Sequence, residues 1–192
     1  MASYSVQERA RRIRLIAFDV DGIFSNGGLT FSNDGEELKT FDVQDGFGIK
    51  CILDNGIIVA VITGRQSNIV QNRMKALGIQ HVVQGREDKG TALRTLCTSL
   101  DIDLMDVAYM GDDWPDLTAL GLVGLALTAP NAHSEVRKRV HFVTQARGGQ
   151  GAVREVCDLL LQAQGVYEST LEHYIQSFDA AQSKTDRIKS KV

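Results

Sequence analysis

The stretch Leu15-Ile16-Ala17-Phe18-Asp19-Val20-Asp21-Gly22 sets an unbroken apolar run against two carboxylates spaced i, i+2 and a glycine. Four apolar residues in a row leave no polar side for solvent. The run therefore reads as a strand buried on both faces, as in the middle of a parallel sheet. Open α/β sheets bind ligands beyond the carboxyl ends of their strands, which is where Asp19 and Asp21 fall. By itself the acidic pair fits a helix cap or turn as well as it fits a metal or nucleophile site.

Three later segments add chemistry in order, two of them at the end of a strand. Ile57-Ile58-Val59-Ala60-Val61-Ile62 runs into Thr63-Gly64-Arg65, a hydroxyl followed by a glycine that lets backbone N–H groups approach an anion. Thr63 also fits an N-cap for a helix beginning near Ser67. Lys89 opens a helix predicted to reach Leu100, a position where positive charge opposes the helix dipole. Val107-Ala108-Tyr109-Met110 then ends in Gly111-Asp112-Asp113-Trp114-Pro115-Asp116, with Asp116 four residues beyond Asp112.

Taken in this order, Asp-x-Asp-Gly, a strand-terminal Thr, a lone Lys and Gly-Asp-Asp resemble the haloacid dehalogenase superfamily of aspartyl-phosphate phosphotransferases. Phe41-Asp42-Val43-Gln44-Asp45-Gly46-Phe47-Gly48 and the run from Gly148 to Leu160 extend the likeness. Together they resemble the capless 3-deoxy-D-manno-octulosonate 8-phosphate (KDO 8-phosphate) phosphatases of lipopolysaccharide precursor synthesis, over residues 10–164.

The resemblance implies Asp19 as nucleophile and Asp21 as general acid, then base. It implies Mg²⁺ held by Asp19, the Asp21 backbone carbonyl and Asp112, with Asp113 or Asp116 orienting these groups and either one open as a further metal contact. Thr63, Gly64 and Lys89 would bind the phosphoryl oxygens. Arg65 would take the carboxylate of a phosphorylated sugar acid, since guanidinium pairs with carboxylate bidentately. Asp45, Gly46 and Arg147 are further expected substrate contacts, Arg147 from a neighbouring subunit; a local turn is the alternative for Asp45 and Gly46. In one respect the chain departs from some family members: Gly-Asp-Asp runs directly into Trp114-Pro115, leaving the placement of Asp116 open. Alternatives are a phosphatase of a nine-carbon keto-deoxy sugar acid 9-phosphate, or a non-catalytic regulatory module of the same fold.

The chemistry itself demands a cation. A carboxylate approaching a phosphate dianion is repelled by about 4 kcal/mol per charge pair at 4 Å and an effective dielectric near 20. A hard ion bound by oxygens removes that obstacle.

The 192 residues, 43% hydrophobic and 23% charged, have the make-up of a globular protein. A net charge of −3 makes no electrostatic case for nucleic acid or an anionic membrane as partner. No apolar run approaches the roughly 20 residues of a membrane span. The stretch carrying Arg9, Arg11, Arg12 and Arg14 lacks the apolar core and cleavage site of a secretory signal. Cys51, Cys97 and Cys157, widely spaced in apolar helical patterns, read as buried thiols in a reducing cytosol, so a cytoplasmic protein is expected.

Strand-like runs at 14–18, 57–62, 81–83, 106–110, 123–127 and 141–143 alternate with amphipathic helices. The expected fold is α/β, a Rossmann-like parallel sheet with helices on both faces. Asn33-Asp34-Gly35 marks a hairpin over residues 28–41, too short for a cap domain. An isolated hairpin is marginal in water, and this favours a homo-oligomer, a tetramer by resemblance, in which hairpins pack together. Residues 1–164 read as one phosphatase domain. Residues 165–192 read as a helical segment, with Tyr167, Leu171, Tyr174, Ile175 and Phe178 at helical spacing, and a disordered polar end from Gln182.

Overall fold

The computed structural model describes residues 4–176. Helix α1 (Val6–Arg11) is opened by Ser5, whose hydroxyl accepts the Glu8 N–H while the Glu8 carboxylate accepts the Ser5 N–H. Two donors that a helix start leaves open are thus satisfied reciprocally. Arg9 and Arg11 donate to the carbonyls of Gly124 and Ala163, so these N-terminal arginines tie the helix to the body of the protein.

Strand β1 (Leu15–Phe18) is followed by the hairpin strands β2 (Thr30–Phe31) and β3 (Glu37–Leu38), then by α2 (Val43–Asp54) and β4 (Ile58–Ile62). Next come α3 (Asn68–Leu77), β5 (His81–Val83), α4 (Lys89–Leu100) and β6 (Val107–Met110). The chain continues through α5 (Leu117–Leu120), β7 (Leu125–Thr128), α6 (Ser134–Arg137), β8 (Phe142–Val143) and α7 (Ala152–Ala163). A further helix, α8, occupies 167–176.

Six strands form one sheet in the order β5-β4-β1-β6-β7-β8, every neighbouring pair parallel. The chain leaves β1 for β4 on one side and returns to β6 on the other, so the crevice at the end of β1 is a topological switch point. Alternation along β1 explains its apolar run. Ile16 and Phe18 pack with residues of α1, α2, α3 and α7, while Leu15 and Ala17 pack with residues of α4, α5 and α6. Each fully buried Leu, Ile or Phe contributes roughly 1.5–3 kcal/mol. The three cysteines are free and buried, as their apolar surroundings in the sequence predict.

The hairpin is shorter than its sequence suggests. Only Thr30–Phe31 and Glu37–Leu38 form a ladder, because beyond Leu38 the chain leaves it and Lys39 turns toward Asp21. In α8, Tyr167 and Tyr174 pack against the core, Tyr174 edge-on to Phe47 at 4.9 Å, whereas Leu171 and Ile175 are exposed. The amphipathic stripe is thus only half used for packing. Phe178 and the polar end from Gln182 lie outside the described residues. No helix among the described residues is long and apolar enough to cross a membrane.

Candidate active site

Parallel register brings three strand ends together. Phe18 pairs with Val61 on one side and Met110 on the other, and the Asp19 N–H donates to the Met110 carbonyl at 2.9 Å. Asp19, Thr63 and Asp112 therefore open into one cavity of about 360 Å³, together with Asp21, Gly64, Arg65, Lys89, Asp113 and Asp116. Gly27, Glu87 and Pro115 complete its wall. Nine of the twelve residues singled out from the sequence meet in this one space.

Thr63 is buried and caps no helix; α3 begins at Asn68 after Ser67. Gly22 has φ +90°, and a Cβ there would collide with the Asp112 carboxylate. Glycine after Asp21 is thus what lets the first and fourth motifs approach each other. Asn131, which sequence reasoning missed, braces the same loop: its Nδ2 donates to the Gly22 carbonyl at 2.9 Å and its Oδ1 accepts the Gly148 N–H at 2.7 Å.

Lys89 opens α4 for a tertiary reason. Its buried ammonium lies 2.9 Å from Asp19 Oδ2 and 2.7 Å from Asp116 Oδ1. Burial alone would lower its pKa, but the two carboxylates outweigh burial and raise it. Asp116 is fully buried, and its acceptor positions are taken: Oδ1 by Lys89 and the Tyr109 hydroxyl, Oδ2 by the N–H groups of Asp112 and Asp113. A carboxylate has about four acceptor sites, so a direct metal bond from Asp116 would break one of these contacts. The Trp114-Pro115 turn, the point of departure from some family members, is what carries Asp116 back to Lys89. Tyr109, a member of the β6 run, donates its buried hydroxyl to Asp116 Oδ1 at 2.7 Å. Asp113 is exposed and accepts the Trp114 N–H.

Oxygens of Asp19, Asp112 and Asp116 lie within 4.8 Å of one another. Burial first, then mutual repulsion, pushes Asp19 up to about 7 and Asp112 up to about 8. Carboxylates crowded in this way could hold a hard divalent cation, and Asp19 and Asp112 keep oxygens that Lys89 and backbone N–H groups do not take up as fully as those of Asp116. Both folded pKa values exceed the ordinary 3.8, so the native metal-free protein holds extra protons and loses stability as pH rises from about 4 through 7 and 8. Cation binding competes with those protons. The gain in Tm on adding saturating Mg²⁺ should therefore be larger near about pH 8 than near about pH 5.5; equal gains would rule out this shared titration.

Three expected site residues lie elsewhere. Asp45 is buried one turn into α2 and caps α7: its Oδ1 accepts the Arg154 N–H at 2.8 Å, and burial raises its pKa to about 6. Gly46 gives Arg73 and Leu77 of α3 room that a Cβ would fill. The Asp45-Gly46 pair thus joins helices α2, α3 and α7, which is neither a cavity wall nor a simple turn. Arg147 is exposed on the loop before α7 and does not reach this chain's own cavity.

The hairpin supplies what the sequence reading left out. Lys39 Nζ pairs with Asp21 Oδ1, and Glu37 Oε1 lies 3.1 Å from Arg65 Nη2. Their i, i+2 spacing on an extended arm, with Leu38 turned to solvent, was the available signal.

Residues 81–155 match the haloacid dehalogenase-like hydrolase family. The KDO 8-phosphate phosphatase KdsC of Yersinia pestis is 45% identical over 163 residues, which make up 85% of this chain and 87% of that protein. The chain belongs to the KDO 8-phosphate phosphatase family. Its fold is that of the Moraxella catarrhalis phosphatase of this name, solved in complex with magnesium, phosphate and KDO: TM-score 0.87, 44% identity, 88% of this chain and 97% of that one. The cobalt-bound phosphatase of Haemophilus influenzae follows at TM-score 0.80 and 38% identity, covering 83% and 93%. The family and fold that the four strand-end motifs resemble are therefore those of the protein.

Proposed function

We propose that the protein hydrolyses KDO 8-phosphate to KDO and phosphate, as a Mg²⁺-dependent phosphatase in lipopolysaccharide precursor synthesis. The observation that carries this reading is the assembly of Asp19, Asp21, Lys89 and Asp112 around one cavity, in a chain 45% identical to a phosphatase of that name. A module that only bound its ligand would not need all four.

A carboxylate oxygen of Asp19 attacks phosphorus in line, forming an aspartyl-phosphate as the ester P–O bond breaks. Asp21 gives its proton to the leaving alkoxide, then takes one from the water that attacks the aspartyl-phosphate, releasing phosphate and restoring Asp19. Thr63, the Gly64 N–H and Lys89 hold the phosphoryl oxygens as charge spreads over them. Asp19, Asp112 and the Asp21 carbonyl would hold Mg²⁺, whose charge would offset the repulsion between nucleophile and phosphate. Asp116 keeps Lys89 and the Asp112 backbone in place, and Asp113 acts only as a local cap. Arg65, exposed at the rim, takes the sugar-acid carboxylate.

The working form is a cytoplasmic homotetramer. Leu29, Phe31 and Leu38 of the hairpin are exposed, an apolar surface suited to packing against hairpins of other copies. Arg147 of one copy then contacts substrate in the next.

The test is phosphate release from KDO 8-phosphate with Mg²⁺ and with EDTA, beside a nine-carbon sugar acid 9-phosphate and a hexose phosphate. Mg²⁺-dependent turnover that prefers KDO 8-phosphate is expected. Preference for the nine-carbon ester would move the substrate assignment and keep the chemistry, while no turnover of any of them would end the phosphatase reading.

A further inference from the structure

Glu37 and Lys39 lie two residues apart on the returning arm of the hairpin, and both side chains turn toward the cavity rim. Four charges meet there. Glu37 Oε1 is 3.1 Å from Arg65 Nη2 and 3.8 Å from Lys39 Nζ. Lys39 Nζ also pairs with Asp21 Oδ1, and Arg65 Nε lies 3.8 Å from Asp21 Oδ2. The Lys39 side chain is 2% exposed and that of Glu37 17%, so the Glu37–Lys39 contact is largely withdrawn from solvent, while Arg65, 46% exposed, meets it from the rim. Asp21 belongs to the chemistry. Glu37 has no catalytic task, yet one of its oxygens occupies the place between a guanidinium and an ammonium where a ligand carboxylate would be received.

We propose that Glu37 is an internal stand-in for the substrate's carboxylate, which must displace it from Arg65 and Lys39, so that Glu37 and Lys39 set the selectivity for acidic sugars. The inference rests on Arg65 receiving that carboxylate in the preceding reading. Without a ligand, Glu37 keeps the two cations compensated at a half-buried site. An incoming carboxylate remakes both ion pairs as Glu37 swings out, so the exchange costs little. A neutral sugar that pushes Glu37 aside leaves both cations undercompensated, and the discrimination comes from that penalty. The hairpin thus does within one chain part of what a cap domain does over a cavity.

The test is the dissociation constant of free KDO, measured by calorimetry on the full-length Mg²⁺-loaded protein and on three variants, each checked for an unchanged Tm. Glu37→Gln removes the competitor and should tighten binding roughly two- to fivefold. Lys39→Met should weaken it by about tenfold. Weaker or unchanged binding by Glu37→Gln would overturn the proposal, since weakening would mean that Glu37 orients the cations instead of competing for them. Arg65→Met separates the two layers of the argument: if it binds KDO as well as the unmodified protein, the placement of the carboxylate at Arg65 has failed, whatever Glu37→Gln does.

Discussion

Asp19→Asn should reduce phosphate release by at least about 10⁴-fold while the protein stays folded. The amide is nearly isosteric, so the side chain still fits its buried place at the end of β1, and its backbone N–H still donates to Met110. What disappears is the anionic oxygen that, in the proposed reaction, forms the bond to phosphorus. Lys89 keeps a charged partner in Asp116, so no buried ammonium is stranded. Removing one of the crowded carboxylates also relieves Asp112, which Asp19 helps to push upward. The metal-free variant should thus lose little stability, and the Tm gain from Mg²⁺ should shrink because one of the proposed acidic ligands is gone. Steady-state phosphate release and thermal unfolding with and without Mg²⁺ check both halves. An Asp19→Asn protein retaining a tenth of the activity would sink the nucleophile assignment.

Lys89→Met should damage both rate and fold. The substitution keeps the unbranched stem, one atom shorter, and deletes the ammonium set between Asp19 and Asp116. Two buried carboxylates then face each other with no cation between them, a situation that costs about 3 kcal/mol or more. In the proposed reaction Lys89 also faces the phosphoryl oxygens, so its loss should lower kcat by about 10²–10³-fold. The pH dependence has a definite sign. The raised pKa of Lys89 leaves it fully charged across the neutral range, so its own titration does not enter there. Asp19 and Asp112 are raised to about 7 and 8, and both become neutral as pH falls. The stability difference between the two proteins should therefore shrink between about pH 8 and about pH 5.5 in the metal-free state. Urea unfolding at the two pH values measures it, and an equal difference at both would mean that the lysine acts only by filling space.

Much of this protein was legible before folding, because its chemistry sits at the ends of buried strands. Apolar runs at 15–18, 58–62 and 107–110 announce strands through composition alone, and the residue after each run falls at the carboxyl edge. Asp45 and Gly46 were read less well. Their polarity and lack of bulk fit an active-site mouth, but equally fit a helix junction, and only the packing of α2 against α7 distinguishes the two.

The strand alternation, the order of the four motifs and the hairpin turn followed from local patterns of apolarity and glycine. These determined the α/β class and which residues fall near strand ends, and the motifs carried the resemblance to the family. Tertiary structure alone decided that Asp116, not Asp113, holds Lys89, that Tyr109 and Asn131 brace the site, and that Glu37 and Lys39 reach over it. Those contacts join residues 7 to 109 positions apart, set by how a loop or hairpin docks on the sheet. A local period records which side of an element is buried. It does not record which charge on another element will be waiting there.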